Sequence, residues 1–394
     1  MSFLLAKRGA EYYNVRILYN TRSTLAAKFK EGKIMTNQQL NDVIGRFAIE
    51  GNVVSYAPYG DGHINDTYLV ETTVRKYILQ RINSSIFKDV DALMKNITLV
   101  CNHARENIIR AGGDPHREAM TVVPTKDGKS YFRFGEKYFR IYVYIDHTVS
   151  LNLPRNERDF YESGVGFGKF AKLLDGFDAS QIYDVIPDFH NTVVRYNNFI
   201  AALEADKLNR AKEVKDEIDF VLKREAVCHK IVDMLASGEL KRRVTHNDTK
   251  LNNVLLDDKT GKAVAVIDLD TVMQGSVCYD FGDSIRFGCN TAAEDEEDLT
   301  KCHFSLPLFE VYSQGFLGAI GGILTEREIE AMPLGSIMMT LECGIRFLTD
   351  YLDGDNYFKV SKDKHNLIRT RTQFRLVEEM ERDYDKMISV VKNV

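Results

Sequence analysis

One stretch of the chain, Val244 to Asp270, restricts its possible fold and chemistry more than any other. It reads VTHNDTKLNNVLLDDKTGKAVAVIDLD and places Asp248 two residues after His246 and five residues before Asn253. A short apolar run then ends at Asp268. The stretch therefore combines a polar loop, rich in carboxylate and amide groups, with an apolar segment that ends in another carboxylate.

This combination is the set of groups that phosphoryl transfer from Mg-ATP requires. One carboxylate accepts the proton of the attacking hydroxyl, while an amide and a second carboxylate hold the metal on the phosphates. Mg²⁺ prefers oxygen ligands and uses only one or two carboxylates beside the phosphates. We therefore predict Asp248 as the catalytic base, with Asn253 and Asp268 as the metal ligands. Asp270 is interpreted either as a further ligand or as a support for Asp268, and His246 as a brace of the loop.

The alternative interpretation of HNDTKLNN is a polar loop that contains an Asx-turn and has no chemical role. The residues that follow argue against it. Val254–Leu256 and Ala263–Ile267 are short apolar runs separated by the turn residues DDKTGK, a pattern typical of a hairpin. Such a hairpin brings Asn253 and Asp268 to the same end of two paired strands.

A glycine-containing segment between two predicted strands is the candidate phosphate loop. It contains Gly60, Asp61 and Gly62. Glycine allows backbone N–H groups to approach phosphates closely. The alternative is a glycine hairpin without a ligand, and it is the downstream loop that favours phosphate binding.

The rest of the predicted nucleotide site departs from the usual kinase pattern. Kinases generally place a Lys on the third strand to grip the phosphates, whereas this chain has Gln80 and Arg81. Charge neutralisation is thus expected from Mg²⁺, backbone amides and Arg81. Tyr144 and Ile145 lie where the chain changes from strands to helices, and we expect them to present backbone groups to adenine.

The strings HNDTKLNN and IDLDT resemble the aminoglycoside phosphotransferase and choline kinase superfamily, which carries a His-x-Asp-x-x-x-x-Asn loop and a following Asp. Longer strings, among them PYGDGHINDTYLV, DHTVSLN, DFGDSIRFG and ECGIRFLTDYLDGDNYF, resemble the N-acetylhexosamine 1-kinases of gut bacteria. The resemblance implies that ATP and Mg²⁺ are used to phosphorylate the anomeric hydroxyl of GlcNAc or GalNAc in sugar salvage. It also implies a set of substrate-binding residues: His63, Asp248, Arg346, Asp350 and Tyr357.

Arg346 and Asp350 also have a simpler interpretation. They are four residues apart on a predicted helix, so a surface ion pair is the alternative to substrate contact.

The resemblance implies an α+β, two-lobed fold like that of the protein kinases. Several alternating strands and one helix predict an antiparallel nucleotide-binding N-lobe over residues 37–145. Residues 146–394 are predicted to form a mostly helical C-lobe with the catalytic loop and the sugar site. Residues 1–36 precede everything that resembles the family. This extension is interpreted as an added helix, a basic arm, or the product of an upstream start codon that is not native.

Composition excludes several other functions. The net charge of −5 gives no basic field that would attract nucleic acid or an anionic membrane. The six cysteines are scattered without a C-x-x-C pair, which favours free thiols in a reducing cytoplasm. Since no run of about 18 apolar residues is present, we expect no membrane span. We expect a cytoplasmic monomer whose partners are ATP and a small sugar.

Two other functions remain as alternatives. The chain could be a kinase of another small alcohol, either an amino alcohol or an aminoglycoside, although a cationic substrate would need an acidic pocket. It could also be a pseudokinase, but Asp248, Asn253 and Asp268 are all present. A protein kinase is disfavoured because the H-R-D and A-P-E elements are missing.

Overall fold

The structure, a computed structural model, describes residues 35–60 and 64–394. The interpretation of residues 1–34 and the roles predicted for Asp61, Gly62 and His63 lie outside the described residues. Within the described ranges, every helix is either too short or too polar to span a lipid bilayer.

Residues 35–60 and 64–143 contain one antiparallel sheet preceded by a short helix. Helix α1 (Asn37–Ile44) begins at Thr36, whose side chain accepts a hydrogen bond from the backbone of Gln39 in a capping box. The strands lie in the order β1-β2-β3-β6-β4, and β5 pairs with the first residues of β6. Their bounds are β1 Val53–Pro58, β2 Asp66–Thr72, β3 Lys76–Ile82, β4 Val122–Val123, β5 Phe132–Phe134 and β6 Lys137–Val143. This confirms the predicted antiparallel N-lobe.

Two separate hydrophobic cores lie on the two faces of this sheet. One face packs against α1 and contains Tyr77, Leu79 and Phe139. The other face, with Ile82 and Tyr142, joins the much larger core of the helical lobe. Helices α2 (Val90–Arg110) and α3 (Pro115–Glu118) follow β3, and the buried residues of α2 belong to this larger core.

The remainder of the chain is mostly helical, as predicted. Its helices are α4 Glu157–Leu173, α5 Thr192–Ala205, α6 Lys215–Leu222, α7 Glu225–Ala236, α8 Val277–Gly288, α9 Leu306–Ile320, α10 Glu326–Asp353, α11 His365–Arg382 and α12 Tyr384–Asn393. Two small antiparallel sheets hold the central loop between α7 and α8. Their strands are β7 Thr148–Val149, β8 Arg243–Thr245, β9 Val254–Asp257, β10 Ala263–Val266 and β11 Met273–Gly275.

Several helix predictions need correction. Apolar periodicity predicts a single helix over residues 213–237 and another over residues 370–391. In the structure the first is divided into α6 and α7, and the second into α11 and α12. Helix α8 is not predicted at all. Its sequence, VCYDFGDSIRFG, contains two glycines and two aspartates, which are weak helix formers. Ten consecutive residues, Val277–Arg286, are buried, so no amphipathic period identifies it.

Helix α8 packs unusually close to α10. A Cβ atom added at Gly282 would lie 2.5 Å from the carbonyl oxygen of Gly335, and one at Gly335 would lie 2.5 Å from that of Cys278. Only glycine fits at these two positions because a side chain would collide with the opposite backbone. This contact fixes α8 directly behind the loop that carries Asp248.

Candidate active site

The predicted hairpin is confirmed and sets the two proposed metal ligands side by side. Strands β9 and β10 are antiparallel, with Val254 opposite Val266. One residue further on, the Ile267 N–H donates to the carbonyl of Asn253 at 2.9 Å. Asn253 and Asp268 therefore leave the same end of the hairpin. Asp268 adopts a left-handed backbone conformation (φ 61°, ψ 60°), which is uncommon for a residue with a side chain and is found at functional sites.

Asp248 lies beside Asn253 and is held by two neighbours. The side-chain amide of Asn253 donates to the Asp248 carbonyl at 2.9 Å and to its Oδ2 at 3.3 Å. Lys250 forms an ion pair with Oδ1 of Asp248 at 2.7 Å. Because the amide nitrogen of Asn253 is engaged by Asp248, its oxygen is the atom that could bind a cation. Lys250 was not predicted, although its position two residues after Asp248 was a visible signal.

Lys250 stays positively charged because two carboxylates, those of Asp248 and Asp283, lie near it. The side chain is 40% exposed to the cleft, yet the surrounding protein restricts hydration of the ammonium group. This loss of hydration acts to lower the pKa of Lys250, but the nearby charges of Asp248 and Asp283 outweigh it and raise the pKa above its usual value. Lys250 is therefore a cation in front of the proposed base.

Helix α8 braces the loop from behind through two aspartates. The Asp280 carboxylate accepts hydrogen bonds from the backbone N–H groups of His246 (2.8 Å) and Asn247 (2.7 Å). The Asp283 carboxylate accepts from the N–H of Thr249 at 3.0 Å. These bonds satisfy buried donors in a loop that has no regular partner strand. Sequence analysis missed both residues because α8 itself was not predicted.

Replacing Asp280 by Ala should destabilise the protein and lower its activity together. The change leaves two buried N–H groups without an acceptor, each at a cost of about 1–3 kcal/mol. We expect a clear fall in melting temperature, measured by calorimetry, and a loss of kcat at a temperature where the variant is folded. Asp298→Ala, which removes the cap of an exposed turn, is the matched control. An Asp280→Ala protein as stable as the wild type would show that the brace is not needed.

His246 has a structural position, as predicted. Its side chain is buried, and the ring Nε2 lies 2.9 Å from the carbonyl oxygen of Ile267. The rings of Phe167 and Phe170 meet it edge-on at centroid distances of 5.5 and 5.8 Å. His246 therefore ties the catalytic loop to the hairpin, and its packing leaves it no access to a substrate.

The negative charges of Asp248 and Asp270 lie close enough to Asp268, at the end of the hairpin, to repel it. The Asp268 side chain opens to the cleft, but the protein around it removes hydration. This desolvation, followed by repulsion from Asp270 and Asp248, raises the pKa of Asp268 to about 7. Bound Mg²⁺ would neutralise this negative charge, and the Asn253 oxygen and the Asp268 carboxylate would hold the ion. Within the described residues, no group of three His, Cys, Asp or Glu side chains is arranged to bind a metal. A cation here would therefore need oxygen atoms from the phosphates as well.

Asp270 is committed to the sheet and not to the cleft. Arg140 on β6 donates from Nη2 to Oδ2 of Asp270 at 2.8 Å, and its Nη1 lies 2.5 Å from Oδ1. Asn65 donates to the same Oδ2 at 2.7 Å. Of the two roles left open for Asp270, this geometry favours support of Asp268.

The two residues at the position of the usual phosphate-gripping Lys point in opposite directions. Gln80 lies on the sheet face that meets the helical lobe, where its Oε1 accepts from Arg140. Arg81 lies on the α1 face with Tyr77 and Leu79 and forms an ion pair with Asp66. The sheet thus separates Arg81 from the carboxylate cluster, and the structure does not bring it to the predicted nucleotide site.

The segment after β6 has the backbone groups expected of a nucleotide-binding linker. The N–H of Tyr144 continues the ladder to Lys76 at 3.0 Å. The carbonyl of Ile145 accepts from the Thr148 hydroxyl at 2.7 Å. Among the described residues, the Tyr144 carbonyl has no hydrogen-bond partner.

Tyr59 connects the candidate phosphate loop to this linker. Its ring meets that of Tyr144 edge-on at 6.0 Å, and the hydroxyl oxygens are 3.4 Å apart. Loss of hydration and the contact with Tyr144 raise the pKa of Tyr59 to about 12. Gly60 follows with φ 73°, a conformation that favours glycine.

The sequence between β1 and α9 decides the family. Residues 55–309 match the phosphotransferase enzyme family, a match that includes both candidate nucleotide segments and the whole catalytic loop. The chain belongs to this phosphotransferase family.

Solved structures support the fold of this phosphotransferase. An aminoglycoside phosphotransferase from Alicyclobacillus acidocaldarius is 12% identical with a TM-score of 0.61, covering 93% of this chain and 99% of its own. An ethanolamine kinase from Plasmodium vivax is 14% identical with a TM-score of 0.54, covering 91% and 96%. A spectinomycin phosphotransferase in complex with ADP and its antibiotic is 14% identical with a TM-score of 0.52, covering 90% and 99%. At these identities the likeness establishes the two-lobed kinase fold and does not identify the acceptor.

The structure brings together Arg346 and Tyr357, two of the residues predicted to bind the substrate of this phosphotransferase. Nη2 of Arg346 donates to the Tyr357 hydroxyl at 3.4 Å, and the guanidinium lies 5.8 Å from the ring centroid. Arg346 forms no surface ion pair with Asp350. It lies instead 3.9 Å from Glu342, which is buried. The alternative interpretation of Arg346 is therefore not supported.

Asp350 orders the loop that carries Tyr357. Its carboxylate accepts from the backbone N–H groups of Asn356 (2.9 Å), Tyr357 (2.8 Å) and Phe358 (2.9 Å). The side-chain amide of Asn366 donates to it as well, at 2.8 Å. Both carboxylate oxygens are engaged in this way. Asp350 thus holds the loop that carries Tyr357, and its predicted contact with a sugar stays a prediction.

Three further polar residues, all missed by sequence analysis, connect this region to the catalytic loop. His190 Nδ1 lies 3.2 Å from Oε1 of Glu342, and its Nε2 lies 3.2 Å from the carbonyl oxygen of Asn247. Burial acts to lower the pKa of His190, but the charge of Glu342 outweighs it and the pKa is raised. Oε2 of Glu342 and Nε of Arg195 are buried and have no hydrogen-bond partner among the described residues.

Proposed function

We propose that this phosphotransferase transfers the γ-phosphoryl group of ATP to the anomeric hydroxyl of an N-acetylhexosamine, GlcNAc or GalNAc. The observation that carries the proposal is the charge of the acceptor side, where Arg195 and Arg346 lie near each other and near Tyr357. Loss of hydration, followed by the charge of Arg346, lowers the pKa of Arg195. Two guanidinium groups favour a neutral, oxygen-rich acceptor over a cation.

The unpaired atoms of this region support an acceptor that both donates and accepts hydrogen bonds. Oε2 of Glu342 is a buried acceptor, and Nε of Arg195 is a buried donor. Leaving either without a partner costs free energy, so a ligand that pairs both is bound preferentially. An acetamido group with its neighbouring hydroxyl supplies one N–H, one carbonyl and one O–H. One of the strings that resemble the N-acetylhexosamine 1-kinases, ECGIRFLTDYLDGDNYF, contains Glu342, Arg346 and Tyr357.

In this proposal, each residue of the catalytic loop has one task. The Asp248 carboxylate accepts the proton of the sugar hydroxyl while the hydroxyl oxygen attacks the γ-phosphorus of ATP and ADP leaves. Lys250 neutralises charge on the transferred group when the hydroxyl displaces it from Asp248. Asn253 and Asp268 hold Mg²⁺, which supplies charge stabilisation on the phosphates when bound. Asp280 and Asp283 keep the loop in shape during this transfer.

The nucleotide is proposed to bind between the sheet and the helical lobe. Residues 37–145 would form its upper wall, with the Tyr144 carbonyl and the backbone at Ile145 facing adenine and Gly60 leading into the phosphate loop. Residues 146–394 would supply the metal ligands and the sugar site.

A kinase of amino alcohols is the second candidate, because one similar structure is an ethanolamine kinase. The arginine pair argues against it, since Arg195 and Arg346 would repel an ammonium group, and the one carboxylate there, Glu342, already lies beside His190 and Arg346. A pseudokinase is disfavoured because Asp248, Asn253 and Asp268 are held in a connected arrangement.

The product should be a sugar 1-phosphate. Phosphorus NMR of the product made from ATP, Mg²⁺ and GlcNAc or GalNAc should show an anomeric phosphate and no 6-phosphate. Glucose and galactose, which lack the acetamido group, should react with at least about tenfold lower kcat/KM because Glu342 or Arg195 is then left unpaired. Faster turnover of choline, ethanolamine or an aminoglycoside than of either N-acetyl sugar would contradict the proposal.

A pair of variants makes this test residue-specific. Arg346→Met should raise the KM for the sugar and leave the KM for ATP unchanged. Arg371→Met is the matched control, because Arg371 forms its ion pair with Glu217 on the outside of the helical lobe, at 2.5 Å. If the two variants had equal kinetics, Arg346 would not be a residue of the acceptor site.

A further inference from the structure

Gln80 occupies the β3 position where kinases generally have a Lys that binds the phosphates, so that cation is replaced here by a neutral side chain. A kinase Lys at this strand position is normally held in place by an acidic residue and grips the phosphates. Here Gln80 uses its Oε1 to accept two hydrogen bonds from Arg140, from Nε at 3.0 Å and from Nη2 at 2.8 Å. Its own amide donates to Thr67 at 3.2 Å. Gln80 is therefore engaged within the sheet.

Arg140 is an unusually buried cation. It lies directly opposite Gln80 in the β3–β6 ladder, and its side chain is 1% exposed. Its guanidinium also lies 5.2 Å from the ring centroid of Tyr142. A charge at this depth requires a charged partner and hydrogen-bond acceptors. Arg140 has the acceptor Oε1 of Gln80 on its own sheet and the carboxylate of Asp270 in the other lobe.

The partner of Arg140 belongs to the turn that carries the proposed metal ligand. Asp268 is followed by a single turn of 3₁₀-helix, Leu269–Thr271, which contains Asp270. Both oxygens of Asp270 meet the Arg140 guanidinium, and Asn65 donates to one of them. Asn65 in turn accepts from the backbone N–H of Asn83 at the end of β3, at 3.0 Å. The sheet thus grips the metal-binding turn through two side chains at one carboxylate.

We propose that Arg140 is a positioning residue for the metal site, which sets the direction of Asp268 by holding Asp270. Gln80 is required because it supplies the acceptor that orients Arg140, whereas a Lys in its place would set a second cation against a buried guanidinium. In this arrangement the buried cation nearest the metal site lies on strand β6, and strand β3 supplies the acceptor that orients it. The inference rests on ATP-dependent phosphotransfer and not on the identity of the acceptor.

The test compares metal-dependent with metal-independent nucleotide binding. Arg140→Lys keeps the charge but loses the bidentate geometry. ADP binding is measured by calorimetry with and without Mg²⁺. The Mg²⁺ concentration that gives half of its full effect on ADP binding should rise about 10–100-fold, the usual effect of losing a residue that orients a metal ligand. ADP affinity without Mg²⁺ and the KM for the acceptor should not change. Gln80→Lys should give the same pattern.

Two controls separate positioning from folding. Arg140→Met with Asp270→Leu removes both buried charges at once, which often leaves stability nearly unchanged. The Mg²⁺ dependence should remain impaired in this double variant even where the melting temperature is restored. Arg243→Lys alters the ion pair of another buried carboxylate, Glu328. This variant should be less stable but should show the wild-type Mg²⁺ dependence of ADP binding.

The outcomes distinguish this inference from the proposed function. An unchanged Mg²⁺ dependence in the double variant would overturn the positioning role. An equal loss of ADP affinity with and without Mg²⁺ would also overturn it, since Arg140 would then contact the nucleotide directly. Because ADP binding needs no acceptor, neither result depends on whether the substrate is an N-acetylhexosamine.

Discussion

Asp248→Asn should lower kcat by about 10²–10⁴-fold, the range expected for loss of a general base. The amide has the shape of the carboxylate, so Asn253 and the loop backbone keep their places. It can neither accept the proton of the attacking hydroxyl nor pair electrostatically with Lys250. ADP binding, measured by calorimetry, should be close to that of the wild type, because Asp248 is not a proposed metal ligand.

Asp258→Asn is the matched control for this variant. Asp258 lies in the turn of the same hairpin, where its carboxylate is 3.6 Å from His147. Its amide variant should turn over at the wild-type rate. If Asp248→Asn also kept its turnover, Asp248 would have no role as the base, and the hydroxyl would lose its proton to another group or to water.

Asp268→Ala should abolish turnover and, without divalent cations, should raise the melting temperature. Both effects come from the same repulsion between carboxylates. Removing Asp268 deprives Mg²⁺ of its carboxylate ligand, so the charge on the phosphates is no longer neutralised. The same change relieves the repulsion from Asp270 and Asp248 that raises the pKa of Asp268. The measurements are activity against Mg²⁺ concentration and calorimetry in a chelating buffer.

Asp127→Ala is a suitable comparison, because Asp127 lies on an exposed turn far from the hairpin. It should change neither measurement. An Asp268→Ala protein with the wild-type response to Mg²⁺ would contradict the metal assignment. A lower melting temperature without cations would instead show that Asp268 is a structural residue.

Local sequence patterns predicted the elements that carry the chemistry. Alternation of apolar side chains predicts a strand over residues 53–58, which are also its observed bounds, because alternation is a local property of the sequence. The hairpin that brings Asn253 to Asp268 was predicted for the same reason, since short apolar runs around a turn of Asp, Thr and Gly have few other solutions.

The supporting residues could not be predicted, because each acts across a long stretch of sequence. His190 meets Glu342 across 152 residues, and Arg140 meets Asp270 across 130. Both pairs form only after the lobes and helices have packed, so no spacing rule identifies them. Helix α8 adds a different difficulty, since its burial on all sides removes the period by which a helix is recognised.

Helix α2 belongs to the N-lobe by its place in the chain but to the helical lobe by its packing. Although α2 lies between strands of the N-lobe, its buried face belongs to the core of the helical lobe, and Asn96 donates to the carbonyls of Tyr183 (2.8 Å) and Val272 (3.1 Å). Cooperative units of local opening follow shared buried surface and not chain order. The outer sheet with α1, which has its own smaller core, is then the segment that can loosen separately. Amide exchange in α2 would follow the helices around the catalytic loop, so the nucleotide could enter and leave while that loop stays protected.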